Sequence, residues 1–143
     1  MIRNWKQQDV SALSLYISKK LNVPISEATL KAKKVIKSGL PSFLKEESDL
    51  TGVCWIEARV IDGKKLKFIE ILANNWRLAE DYIQCLRWEI HGEYYFSVPR
   101  HDSLNRTYNK NGIRYLRVEG DKNIYVYRFE RRNFVSYKSE DND

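Results

Sequence analysis

Few residues in this sequence are spaced for chemistry. Cys54 and Cys85 sit inside apolar runs and form no CxxC pair, and His91 and His101 are not at metal-ligand spacing, so neither a disulfide framework nor a metal site is expected. No GxxxxGK[ST] loop, HExxH motif or Ser-His-Asp arrangement is present, which leaves most enzyme classes without positive evidence. Three groupings remain. Asn74, Asn75 and Arg77 precede an amphipathic segment, where a helix start would hold an anion. Glu57 and Glu70 lie in strand-like runs, where a solvent-facing carboxylate paired with a lysine is the ordinary expectation. Tyr125 and Tyr127 with Arg128, Arg131 and Arg132 make a basic-aromatic pattern of the kind that stacks single strands, although no RNP, KH or zinc-finger pattern accompanies it. His101, just after Pro99, reads as a surface polar group, and His91 suits the negative end of a helix.

The elements that must position these residues follow from periodicity. Ile2 to Trp5 opens as a short strand. Asp9 is a suitable N-cap for a helix carrying Val10, Leu13, Ile17 and Leu21, ended by Asn22-Val23-Pro24. Ser26 is expected to cap a second helix, with Ala28, Ala32, Val35 and Ile36 as its apolar face and Gly39 and Pro41 as its stop; Lys31, Lys33, Lys34 and Lys37 lie on its wet side. An extended stretch from Phe43-Leu44 turns at Glu47-Ser48-Asp49. The strand from Gly52 to Val60 meets its partner, from about Lys65 to Leu72, at the hairpin signal Asp62-Gly63. In the partner Leu66 and Phe68 share one face while Ile69 and Ile71 share the other, so the strand is either buried on both faces or bulged.

Asn74 or Asn75 then caps a third helix with the stripe Leu78, Tyr82, Leu86 and Ile90, ended by His91-Gly92. Tyr94 to Val98 is a strand closed by Pro99, and Asp102-Ser103 caps a short helix through Tyr108. Asn111-Gly112 turns the chain into Ile113 to Val118, and a second turn leads to Ile124 to Phe129, with Tyr125, Tyr127 and Phe129 on one face. Helices enclosing a mixed sheet make an α/β or α+β domain. A chain of 143 residues suits one such domain, over 1–138, with a loose acidic tail over 139–143. At 43% hydrophobic residues it builds a core without staples. Trp5, Trp55 and Trp88 read as core or partly buried, and Trp76 as a core or interface anchor. The Met1 end shows no signal peptide and no apolar run is long enough for a bilayer, so a reducing, cytoplasmic setting is expected. The net charge of +6 permits an acidic partner such as nucleic acid.

This order resembles the GNAT N-acetyltransferase superfamily over nearly the whole chain. The segment "IRNWKQQDVSALSLYI" is similar to its opening strand and first helix, and "FLKEESDLTGVCWIEARV" to its second and third strands, with Gly52 at the usual glycine. "KKLKFIEIL" falls at its fourth strand, which carries a bulge in the family, and "YNKNGIRYL" is similar to the late motif Y-x-K-x-G-F with Ile113 in place of the Phe. The resemblance implies a mixed, mostly antiparallel central sheet flanked by helices. It also implies acetyl coenzyme A as donor, held by Leu72, Asn74, Asn75 and Arg77, and an amine as acceptor. Such chemistry needs an acid for the leaving thiolate and a base for the amine. By motif position the acid is Tyr108, whose plain alternative is a tyrosine packed at a helix end with its hydroxyl wet. Glu70 or Glu57 would be the base. The family's cofactor loop reads R/Q-x-x-G-x-G/A, and here the segment is "ANNWRLAEDYIQCL". Arg77 matches the arginine, no glycine follows, and Glu80 and Asp81 place two carboxylates where a pyrophosphate would be repelled. Arg77 has a salt bridge to Glu80 or Asp81 as its alternative.

Three functions therefore stay open at the level of sequence. One is an N-acyltransferase with a divergent cofactor loop. The second is a non-catalytic protein of this fold that binds other proteins, as some tailed-phage virion components do, in a homo-oligomer or a larger assembly and located in the virion. The third, ranked last, is a nucleic-acid binder.

Overall fold

The hairpin of β3 (Leu50–Ile61) and β4 (Lys64–Ala73) is the frame on which the other elements are laid. Asp62 and Gly63 both take positive φ, 52° and 77°, which lets a two-residue turn follow the twist of its strands. The register then runs unbroken from Ile61↔Lys64 to Gly52↔Ala73. The phase change at Phe68-Ile69 is thus not a bulge, contrary to the family expectation. Phe68 and Ile69 are both buried because the hairpin is covered on both sides. One face, with Val53, Trp55 and Leu72, lies under Leu13, Ile17, Ala28, Ala32 and Val35. The other, with Cys54, Ile69 and Ile71, lies under Ala79, Tyr82, Ile83 and Leu86.

In this computed structural model the described residues are 2–44 and 50–130; the expected turn at Glu47-Ser48-Asp49, Arg131, Arg132 and the acidic tail lie outside them. The chain runs β1 (Ile2–Asn4), α1 (Val10–Leu21), α2 (Ile25–Ser38), β2 (Pro41–Leu44), β3, β4, α3 (Trp76–Glu89), β5 (Gly92–Pro99), α4 (Leu104–Lys110), β6 (Arg114–Glu119) and β7 (Lys122–Phe129). These strands form one sheet in the order β1-β2-β3-β4-β5-β7-β6. Every pairing is antiparallel except β4 with β5. The α/β architecture with a mixed, mostly antiparallel sheet is therefore as the sequence implied.

Local chemistry sets the helix ends, not always by the residues expected. Asp9 stands at the start of α1 but accepts from the Lys6 N–H at 2.8 Å, closing a 3₁₀ turn in place of capping the helix. Ser26 is not the cap of α2. The proline-fixed backbone of Pro24 opens that helix, with Ala28 N–H donating to the Pro24 carbonyl at 3.0 Å, so Ser26 lies in the first turn. Gly39, at φ 67°, ends it. No helix among the described residues is long and apolar enough to cross a membrane.

Leu86 is wholly buried beneath the sheet while Leu15 projects from α1 into solvent. Leu86→Ala is expected to lower the unfolding free energy by about 2–5 kcal/mol, and Leu15→Ala by less than about 0.5 kcal/mol, in urea titrations at neutral pH.

Candidate functional site

The junction of β4 and β5 is where the sheet opens. The two strands share a single register pair, Phe68↔Tyr95, with ring centroids 5.6 Å apart. Residues 69–73 and 96–99 have no register partner across this junction, although β3 and β7 hold the outer edges. The C-terminal ends of both strands lead into α3 and α4. A cavity of about 330 Å³ lies there, lined by Leu72, Asn74, Asn75, Leu104 and, from α1, Lys20. A second cavity, about 540 Å³, adjoins it, with His101, Arg106 and Lys110 in its wall; Trp76, Asp102 and Ser103 line both.

Leu72, Asn74 and Asn75, three of the residues expected to hold the cofactor, line this smaller cavity. Their side chains also have structural work. Asn75 caps α3, its side-chain oxygen accepting from Leu78 N–H at 3.1 Å. Asn74 accepts at 2.9 Å from the Tyr16 hydroxyl, which lies 3.1 Å from the Thr51 carbonyl as well. Burial pushes that phenol up to about 12, so it remains a donor. This bond ties α1 to the end of β4 and brings Lys20, one turn on, to the cleft. The sequence pattern marked Lys20 only as a charge near a helix end.

Arg77 is not part of either cavity wall. Its guanidinium lies 5.3 Å from the centre of the Trp76 ring. Glu80 is turned toward α4, where it accepts from the Asn111 side chain at 3.0 Å and sits 3.8 Å from the Lys110 ammonium. That carboxylate therefore points along α3, and part of the repulsion expected at the helix start is neutralised. The first N–H groups of α3, on Trp76 and Arg77, precede the first intrahelical bond, Ala79 to Asn75.

Glu70 and Tyr108 stand on opposite faces of the sheet. Glu70 shares its face with Phe68 and pairs across the hairpin with Trp55. It is ion-paired with Arg59, whose guanidinium covers the Phe68 ring at 4.4 Å and also approaches Glu57 at 3.5 Å. Lys31 and Lys34 of α2 reach Glu57 at 3.9 and 3.8 Å. Glu70 is thus not the solvent-facing carboxylate that the pattern suggested: burial raises its pKa above the usual 4.5, and Arg59 offsets only part of that. Tyr108 is 1% exposed, packed between Phe96 (5.0 Å) and Tyr125 (5.4 Å). Its hydroxyl is not wet. Burial, with Glu70 next in effect, drives its pKa well above the ordinary phenol value and keeps it protonated.

Other expectations change with packing. Trp76 and Trp88 are exposed, not core, whereas Trp5 and Trp55 are buried. Cys54 is buried, and Cys85 only partly. Tyr125 faces the α3 and α4 core, and strand alternation puts Arg128 on the other side, so the two form no common stacking surface. His101 lines the larger cavity.

The residue that sequence reasoning missed is Asn105. Its amide nitrogen reaches the carbonyls of Pro99, Arg100 and Asp102 at 2.9, 3.2 and 2.8 Å. Its oxygen accepts from the Tyr125 hydroxyl at 2.9 Å and from Asn123 at 2.8 Å. It bolts α4 to the ends of β5 and β7 and so fixes both the cavity wall and Tyr108. A lone asparagine in a short polar helix gives no sequence signal for such a hub.

No family model and no curated protein matches the sequence. Solved structures do match the fold. An N-acetyltransferase from Staphylococcus aureus aligns with TM-score 0.65 at 13% identity, over 90% of this chain and 97% of its own. A GNAT-family acetyltransferase from Listeria monocytogenes aligns with TM-score 0.55 at 12% identity, over 90% and 94%. The NatB acetyltransferase complex bound to CoA and MES aligns with TM-score 0.58 at 13% identity, over 92% and 99%. The chain has the GNAT fold; at these identities the fold is what is shared.

Asn105→Ala is expected to cost roughly 2–3 kcal/mol in chemical denaturation, because several partly buried partners lose their bonds together. For Glu70 the sign is set by its raised pKa. Its contribution is complete below the ordinary glutamate value and is lost as pH rises through the folded one. The melting temperature of Glu70→Gln should therefore gain on that of the unaltered protein as pH rises above about 4.5, in thermal melts from pH 4 to 7.

Proposed function

We propose that this protein is an N-acyltransferase that moves an acetyl group from acetyl coenzyme A to a primary amine. The observation that carries the reading is the parting of β4 and β5 beside the start of α3, in the fold of acetyltransferases. Two strand edges left unpaired in a cleft need hydrogen-bond partners, and a linear arm bearing amides supplies them. Lys20, Asn74 and the first N–H groups of α3 offer an anion its partners without glycines. When bound, acetyl coenzyme A supplies an activated thioester.

The chain's own groups then divide the proton work by face. Glu70, on the α1–α2 side, takes the proton from the attacking amine, directly or through a water. A raised pKa suits it to that task near neutral pH. Tyr108, on the α3–α4 side, gives its proton to the leaving sulfur as the carbon–sulfur bond breaks and the new amide bond forms. The acceptor accordingly approaches from the α1–α2 face and the thioester from the other. A non-catalytic, protein-binding role is the second reading, favoured by the missing glycines and by the walled-in Tyr108 hydroxyl.

Isothermal titration with acetyl coenzyme A should show micromolar binding, and a screen of primary amines should release free thiol. Tyr108→Phe should lower kcat by roughly a hundredfold with the fold intact. The rate should climb with pH through the Glu70 ionisation, above the ordinary carboxyl range, and Glu70→Gln should remove that limb. No heat of binding and no thermal shift with acetyl coenzyme A would sink the reading and leave the protein-binding role.

A further inference from the structure

The sheet ends in β6, at the margin opposite β1. Its inner side pairs with β7, and no described residue pairs with its outer side. Every residue of β6 is exposed except Leu116, which is partly buried. An open edge of this kind presents backbone N–H and C=O groups to any strand that fits. Proteins commonly blunt such edges with charge, which repels a second copy laid alongside when like signs fall opposite each other. In β6 the signs are arranged the other way.

Residues Arg114-Tyr115-Leu116-Arg117-Val118-Glu119 are complementary to the same strand run backwards. The register with β7 shifts between Tyr115 and Arg117. Tyr115 and Val118 pair with Tyr125 and Asn123, so both lie on the α3–α4 side, 44% and 42% exposed. Without the shift, residues three apart would point to opposite faces. Arg114, Arg117 and Glu119 pair with Val126, Ile124 and Lys122 and take the other side. Consider a second copy set antiparallel about a two-fold axis beside Leu116 and Arg117. Arg114 then meets Glu119 of the second copy, and Tyr115 meets Val118 of the second copy, each on the face it already occupies. The symmetry makes each pair twice. Opposite charges, and an aromatic against a β-branched side chain, are favourable cross-strand pairs. Tyr115 is braced from behind, edge-on to Tyr125 with ring centroids 5.7 Å apart. The link from Arg117 to Glu119, 3.1 Å long with both side chains 46% exposed, is a weak surface pair that still lets Glu119 accept from another cation.

We propose that β6 is a dimer edge: two copies of this chain join β6 to β6, antiparallel, and their seven-stranded sheets become one continuous sheet. The occupant is a second copy because the strand that fits must carry an anion opposite Arg114 and a cation opposite Glu119, and β6 itself supplies both. Six residues a side make an interface at the small end of the usual range, so the dimer is a reversible one. β5 and β7 separate β6 from the β4–β5 cleft, and the proposal stands whether or not acetyl transfer is found.

The test is sedimentation velocity of the full chain over a range of concentrations, with thermal melts to confirm that each variant folds. The unaltered protein should show a monomer–dimer equilibrium with a dissociation constant of roughly 10–100 μM, weakened by added salt. Arg114→Glu sets like charges opposite each other at both ends of the interface and should weaken the dimer at least roughly tenfold. Glu119→Arg should do the same. The two changes together restore opposite charges and should recover most of the affinity, which a general loss of folding cannot do. Tyr115→Ser should weaken the dimer roughly fivefold. A monomer at every concentration up to about 1 mM overturns the proposal and leaves the edge to a foreign strand. A dimer that survives both single charge reversals overturns β6 as its interface, as does a double variant no tighter than the single ones.

Discussion

Two antiparallel half-sheets meet in this protein at one parallel pair, Phe68 with Tyr95, and the rest of the molecule is arranged around that narrow contact. On one side β1 to β4 pair in sequence order; on the other β7 lies between β5 and β6, antiparallel to both. Neither half can slide toward the other beyond the pair, because each strand at the junction is already held along its outer edge. Beyond the pair the two strands have no register partner across the junction, which leaves backbone groups there in need of partners. The helix that crosses from β4 to β5 must start at the mouth of that gap, and α4 must end it from the other side. The cleft is therefore a consequence of topology before it is a consequence of any particular side chain.

Coverage of both faces of the hairpin follows from the same constraint. With α1 and α2 on one side and α3 and α4 on the other, β4 from Phe68 onward is covered on both faces, so even its carboxylate is drawn under partial cover. Glu70 is tolerated there because Arg59 meets it and because Glu57 and two lysines extend the charge pattern to the surface. Such a pairing stabilises little in net terms, since desolvation consumes most of the attraction. Its effect is to place an ionisable group of raised pKa at the point where the sheet opens.

The elements were legible because their signals are local. Asp62-Gly63 demanded a tight hairpin and formed one; the stripe Leu78, Tyr82, Leu86 marked α3 and its buried face; Asn75 capped as its type and place suggested. What the sequence misled on depends on contacts between distant segments. A phase change in β4 reads alike for a bulge and for double burial, and only the position of α1 and α2 decides. Ser26 was outweighed by the fixed backbone of Pro24 two residues earlier. Leu72, Asn74 and Asn75 could be singled out together from sequence because they adjoin a helix start, whereas Lys20 reaches the cavity they line through a bond between Tyr16 and Asn74, which are 58 residues apart. Asn105 was invisible for the same reason, and Tyr108 was placed correctly on its helix but on the wrong side of it with respect to water.

On the transferase reading proposed above, the absence of glycines after Arg77 bears on how an anion would be held, not on whether one would be. Glycine matters at such a loop because it lets backbone N–H groups approach closely. Charge and hydrogen-bond donors can be delivered by other means if the cleft brings them together, and here side chains from three elements converge on it: Lys20 from α1, Asn74 from the end of β4, and Arg106 with Lys110 from α4. Side chains are less rigid than a glycine-rich turn, so more conformational freedom is lost when a ligand is bound. The bonds of Asn105, and of Asn74 to Tyr16, counter that loss by fixing the walls beforehand. A fold that keeps its opening while exchanging backbone donors for side chains becomes more sensitive to salt and to single substitutions, because each contact then hangs on one residue.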